Sequence, residues 1–380
     1  MLKLVLSLIV GIALGVHSGN INLEKLEIPV ERVNIKMVGD DLIHTGVYKQ
    51  CYQSDGSYNF DKIFEHIKSD IESADIGIIN QETILVHDKS RVSSYPAFGT
   101  PDDIGHSIVR AGFDVVAHST NHTIDKGESG IRDTIDFWET NYPEMIYLGV
   151  HKDENDSDIR YITKNNIKIS FINYTYGLNG LEGQRKGKEY LIDMLSDKDI
   201  EESIKEAKEN SDIIVAILHI GEEYVYKPTE YERKQVDRFI DNGVEIVLCS
   251  HPHVLEPYGI RVTENGNKGL VYYSLGNFVS SQNEVDRVVG GMADITITKD
   301  ILGKVEIENY DLIPLVTHQE SGLYTTYKLS DYTEDLAKRH KLRGKGLSLK
   351  KIDEILEKTL GKDIAKASGL EIEEEGEVSE

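Results

Sequence analysis

Only two cysteines, Cys51 and Cys249, occur in 380 residues. Two make no disulfide framework and leave the redox compartment open. Cys249 closes an apolar run and reads as a small core residue. Basic charge is also short. Lys and Arg number 42 against 66 Asp and Glu, a formal net charge of −24. That excludes nucleic-acid binding through a basic face that displaces counterions, and it disfavours docking on an anionic membrane surface. There is no Walker A pattern, no Gly-x-Gly-x-x-Gly loop and no Gly-x-Ser-x-Gly elbow, so the usual P-loop, dinucleotide and nucleophile-elbow sites are absent. The uncharged apolar stretch Leu4–Val16 is shorter than the roughly 20 residues of a membrane span. With Lys3 before it and Val16-His17-Ser18 after it, residues 1–18 read as a signal segment or a short retained anchor. A buried first strand or helix is the alternative. The expected location is secreted or extracytoplasmic.

What is present is an alternation of short apolar strands and amphipathic helices. Strands are predicted at Val33–Val38, Ile76–Ile79, Val115–Ala117, Ile167–Tyr174, Ile213–Leu218, Ile246–Leu248 and Leu270–Tyr273. Helices are predicted over Asp61–Ser73, Asp102–Ala111 with Gly112 as its cap, and the faces Ile131/Ile135/Trp138, Ile200/Ile204/Ala207 and Val236/Phe239/Ile240. From Val288 to Leu315 the pattern is strand-like without helices, which predicts an antiparallel portion joined to a parallel α/β one. Beyond Thr317 a stripe at Leu349, Ile352, Ile355, Leu356 and Leu360 predicts a helix with Ser348 as N-cap. The last twelve residues, Gly369–Glu380, hold six glutamates and read as a solvated tail. The organisation is therefore residues 1–18, a main domain over 19–318, and a C-terminal extension over 319–380.

The chemistry lies in position. In open α/β sheets, ligands bind off the carboxyl ends of strands. Metal-competent residues fall at those ends one after another: Asp40, then Asn80 and Glu82, Asn121 and His122, His219, His251 and His253, and Asn277. One such residue is usually a turn or a cap, but random placement would scatter six to both edges of the sheet. Imidazole with carboxylate suits Zn, Mn or Fe rather than Ca. No cysteine joins the set, against a structural zinc site. A pair of cations would need a bridging carboxylate, and Glu82 is the candidate.

The ordered set Val38-Gly39-Asp40, Asn80-Gln81-Glu82-Thr83, Asn121-His122, His219-Ile220-Gly221-Glu222-Glu223-Tyr224, His251-Pro252-His253 and Tyr273–Phe278 resembles the CapA-type capsule synthesis family. That family is associated with poly-γ-glutamate production. The resemblance spans about Val33 to Leu315 and implies a metallophosphatase-like layered sandwich of mixed sheets flanked by helices. It implies one or two divalent cations held by Asp40, Glu82, Asn121, His219, His251 and His253, with His122 as leaving-group acid. Two positions depart from the broader superfamily. Leu42 stands where its first motif has histidine, which leaves His44 as a substitute ligand. Asn80-x-Glu82 replaces its bridging aspartate. Ile220 also stands where the family usually has tryptophan.

The resemblance implies a capsule-synthesis protein, with a metal-dependent hydrolase acting on a phosphate ester or γ-glutamyl bond as one reading. A non-catalytic metal-binding subunit of a membrane synthesis or export complex is another, and a polymer-binding module a third. Partners would be that complex and a polyanionic polymer or phosphate ester. Glu223 is expected to orient His219 or reach the metal. The loop Tyr174–Gly180 is expected to line the cleft or to be a plain turn.

Overall fold

The structure, a computed structural model, describes residues 30–361. Leu4–Val16 and Gly369–Glu380 lie outside the described residues.

Apolar runs become strands buried on both faces. Strands β1 (Glu31–Asp41), β2 (Ile76–Asn80), β3 (Val115–Ala117) and β4 (Ile146–Leu148) pair in parallel. A second set comprises β5 (Arg160–Lys164), β6 (Ile167–Thr175), β7 (Ile213–His219), β8 (Ile246–Ser250), β9 (Tyr258–Val262) and β10 (Lys268–Tyr272). It forms a mixed sheet in the order β9-β10-β8-β7-β6-β5. Three further strands, β11 (Asn277–Val279), β12 (Val289–Lys299) and β13 (Val305–Glu320), return to the first sheet, and β14 (Leu323–Lys328) closes its edge. That sheet runs β14-β13-β12-β1-β2-β3-β4, with β11 also paired to β1. The predicted antiparallel portion is β12–β14.

The sheets pack face to face. Val33, Ile35 and Met37 of β1 meet Ile213, Val215 and Ile217 of β7 in one buried cluster. The intervening Ile214, Ala216 and Leu218 point outward to the helices Ile200–Asn210 and Glu230–Asn242. This is why the run Ile213–Leu218 carries no alternation: a central strand covered on both sides has no wet face. The helices Asp103–Ala111 and Gly127–Asn141 cover the other sheet. The expected layered α/β sandwich is therefore the observed one.

Two details differ from expectation. The helix predicted over Asp61–Ser73 is split into Asp61–Phe64 and Lys68–Glu72. Between them the Ile67 N–H bonds the Phe64 carbonyl at 3.0 Å, and His66 stacks on Tyr327 with ring centroids 3.8 Å apart. A tertiary contact on the outer face interrupts the helix while Ile63, Phe64, Ile67 and Ile71 stay buried. Residues 319–328, placed in the extension, instead finish β13 and form β14. The helix Leu349–Leu360 is capped by the Ser348 hydroxyl, which accepts from Lys351 N–H. Its Ile352, Ile355 and Leu356 are buried and belong to the same hydrophobic cluster as β1 and β7.

Candidate metal centre

Register aligns the site. Asp40 lies level with Asn80 of β2 on one side and Asn277 of β11 on the other. Across the seam, β7 and β8 end level at His219 and Ser250. Gly39 allows this closeness: a Cβ there would sit 1.9 Å from the Gly276 carbonyl oxygen, and Asp40 N–H bonds that same oxygen at 2.9 Å.

Side chains from both sheets then converge. Asp40 Oδ1 accepts from Asn80 Nδ2 at 2.9 Å. Its Oδ2 lies 3.0 Å from His253 Nδ1 and accepts the His251 backbone N–H at 3.3 Å. His219 Nε2 is 3.0 Å from Asn121 Oδ1, and its Nδ1 is 3.4 Å from both Asn80 Nδ2 and Ser250 Oγ. Glu82 Oε1 is 3.7 Å from His253 Nε2 and 3.9 Å from His219 Nε2. Ligand atoms of Glu82, His251 and His253 lie within 4.8 Å of one another.

These residues fit a divalent cation. Glu82 is buried, yet neither carboxylate oxygen accepts a hydrogen bond, and His251 Nδ1 and Asn80 Oδ1 are likewise buried without a partner. Burying an unpaired polar group costs about 1–3 kcal/mol, and more for a charge; a cation among these atoms would remove that cost. Two ligands of one ion, with bonds of about 2.0–2.2 Å, stand roughly 3–3.5 Å apart. Asn121 Oδ1 and His219 Nε2 have that spacing.

Burial first, and then the neighbouring imidazoles, hold His219 and His251 far below the ordinary histidine range. Both are neutral, the form that ligates metal. At His253 burial acts the same way, but Glu82 and Asp40 outweigh it and lift its pKa to about 9. Burial pushes Glu82 up, Asp40, Glu223 and Asp125 push further, and only His253 opposes. A proton and a cation thus compete for the same oxygens. The backbone is strained here as well: His251 (φ 113°), His253 (φ 58°) and Tyr224 (φ 66°) all occupy positive φ. Such conformations persist where surroundings over-determine them, and they cluster at functional sites.

His122 lies beside this group. Its Nδ1 is 2.7 Å from Asp125 Oδ2, which also accepts the Phe98 N–H at 2.7 Å. Asn277 supports the site from behind: its Nδ2 donates to the carbonyls of His253 and Arg287 and to Gln282 Oε1. Glu223 is exposed and forms no hydrogen bond to His219 among the described residues; Asn80 and Ser250 lie beside the His219 Nδ1 instead. His44 stays outside the Glu82–His251–His253 group. Its Nδ1 accepts the Ser281 N–H at 3.4 Å, and burial lowers its pKa to about 4.

Sequence reasoning missed Asp125 and Ser250, and named Asn179 only as part of the loop Tyr174–Gly180. Asp125 stands three residues after His122, and Ser250 immediately precedes His251; adjacency was the available signal. Asn179 donates to the Asn121 carbonyl at 3.1 Å, and Tyr176 lies 4.6 Å from His251, ring to ring. The loop Tyr174–Gly180 therefore borders the site.

Two mixed sheets that converge carboxylate, amide and imidazole donors on one buried point define an α/β protein with a candidate divalent-cation centre. The chain belongs to the bacterial capsule synthesis protein family PGA_cap, whose family model matches residues 34–282. It is 26% identical over 260 residues to the capsule biosynthesis protein CapA of Bacillus anthracis, covering 66% of this chain and 61% of that one. It is 25% identical over 283 residues to the PGA biosynthesis protein CapA of Bacillus subtilis (strain 168), covering 74% and 72%. Similar solved structures include the NAD nucleotidase of Haemophilus influenzae, at 12% identity and a TM-score of 0.47, covering 87% of this chain and 60% of that one. A sulfate thiohydrolase from Thermus thermophilus is similar at 11% identity and a TM-score of 0.41, covering 79% and 45%.

Proposed function

We propose that this chain acts in poly-γ-glutamate capsule synthesis as a divalent-cation-dependent hydrolase of a phosphate ester or γ-glutamyl bond. The observation that carries the reading is Glu82, buried with both oxygens unpartnered beside His251 and His253. Asp40, Glu82, Asn121, His219, His251 and His253 would hold one or two ions of the Zn, Mn or Fe type. A bound ion of this kind polarises a phosphoryl or carbonyl oxygen and brings the pKa of a water towards about 7. Asn80 and Ser250 fix the His219 ring, and Asp40 fixes both His253 and the His251 backbone. Asp125 accepts from His122 Nδ1, which leaves Nε2 to carry a proton to the leaving group. The family and the apolar segment Leu4–Val16 support a place outside the cytoplasm, beside a membrane complex that handles a polyanionic polymer.

Metal analysis of the purified protein tests the centre. His251→Ala and Asn121→Ala should each cut the bound metal at least in half, by about tenfold in affinity or more; unchanged stoichiometry in both would remove the site. A screen of phosphate esters and γ-glutamyl peptides tests the chemistry. His122→Ala should keep its metal and lose about 10²–10⁴-fold in turnover. A metal-loaded wild type inert on both classes would return the chain to the role of a metal-binding subunit.

A further inference from the structure

Arg287 is the exception among the arginines of the described residues. Every other one pairs with a carboxylate or donates to a backbone carbonyl. Among the described residues Arg287 forms no ion pair and its guanidinium donates no hydrogen bond; its Nε is buried without a partner. The nearest carboxylates in sequence are engaged elsewhere: Glu284 with Lys345 at 2.7 Å, and Asp286 with the Tyr226 hydroxyl. In a chain with 66 acidic residues and 42 basic ones, an unpaired guanidinium is not for want of partners.

Its surroundings lead to the metal centre. The guanidinium carbon lies 3.5 Å from the centroid of the Tyr224 ring, and that ring is 6.0 Å from His253. Gln282 Nε2 donates to the Tyr224 hydroxyl at 3.2 Å, while Gln282 Oε1 accepts from Asn277. Asn277 in turn donates to the carbonyls of both His253 and Arg287. One amide therefore ties the backbone of Arg287 to that of a candidate ligand. The segment leading into the turn Val285–Val288 is held from outside, since Lys341 and Lys345 both donate to Asn283. A planar guanidinium fixed on an aromatic face, with its donors unused, matches the paired oxygens of a carboxylate or phosphate.

We propose that Arg287, held on Tyr224, is an anion subsite that receives a carboxylate or phosphate group of the substrate beside the metal centre. The assignment rests on the functional reading above. It adds a residue that lies beyond the family match at 34–282.

The test uses the full chain, metal-loaded and metal-depleted, titrated calorimetrically with inorganic phosphate and with glutarate. Wild type should bind at least one of the two. Arg287→Gln should weaken that binding roughly ten- to a hundredfold, the loss of a charge-assisted contact. Arg287→Lys should recover only part of it, because an ammonium lacks the fork. The preferred probe distinguishes a phosphate subsite from a carboxylate one. Equal binding by wild type and Arg287→Gln overturns the subsite, as does a wild type that binds neither anion. Should Arg287→Gln unfold, Arg287→Lys decides alone, and wild-type affinity in it overturns the assignment of the fork. The two proposals fail separately. A wild type without metal whose anion affinity still depends on Arg287 sinks the cation centre and keeps the subsite; a metal-loaded protein indifferent to Arg287 does the reverse.

Discussion

Glu256 and Glu232 are both buried, and three of their four carboxylate oxygens accept no hydrogen bond from a donor group. The exception is Glu232 Oε2, which accepts Thr229 N–H at 3.2 Å in the capping box of the helix Glu230–Asn242. Neighbouring buried carboxylates resist ionising together, which favours a proton held within the Glu232–Glu256 pair. Burial pushes Glu256 up first, and Glu232 adds to it. The groups facing the pair include Cys249, whose thiol is itself pushed up by burial and then by both glutamates, and Arg233, which weakly opposes the shift. An acid whose folded pKa is raised binds its proton more tightly folded than unfolded. Its stability is complete below the ordinary value of 4.5 and falls as pH rises toward the raised one. Glu256→Gln mimics the protonated form. It should stabilise the protein by about 1–3 kcal/mol at pH 8 and by nothing at pH 4. Urea unfolding across that range checks this; a gain independent of pH would mean that the pair shares no proton.

At the scale of elements, the C-terminal helix belongs to the fold rather than to an appendage. Ile352, fully buried in the core cluster, should cost about 2–4 kcal/mol as Ile352→Ala, whereas Lys350→Ala on the exposed side should cost nothing measurable. Equal small losses in a denaturant titration would mean that the helix only rests on the surface. That stripe was legible because an amphipathic period survives translation into structure. Strand ends were legible for the same kind of reason: parallel strands run in one direction, so Asp40 and Asn80 arrive at one edge of their sheet, and His219 and Ser250 at one edge of the other, whatever their neighbours do. What could not be read was decided by partners distant in sequence. His66 needed Tyr327 to break its helix, and His219 needed Ser250 and Asn80 in place of the nearer Glu223. Residues 319–328 needed the far edge of a sheet to become a strand. Arg287 was invisible because what distinguishes it is a missing partner, which no motif records.

At the scale of the molecule, the candidate centre lies on the seam between the two sheets. Asp40, Glu82 and Asn121 follow strands of one sheet; His219, His251 and His253 follow strands of the other. Within each sheet the backbone ladder holds the strands together. Across this end of the seam the side-chain links to the candidate histidines include Asp40–His253, Asn80–His219 and Asn121–His219. An ion bound by donors from both sides cross-links the layers and binds only the folded state. Mass action then stabilises the protein by about 2.7 kcal/mol at a hundredfold excess over Kd. For a domain of this size that is about 4 °C in Tm. Chelation should therefore lower the Tm of wild type by that amount, and readdition of Mn or Zn should restore it. His251→Ala should start at the lower value and respond to neither treatment. A variant that still shifts as wild type does would place the stabilising ion away from the seam.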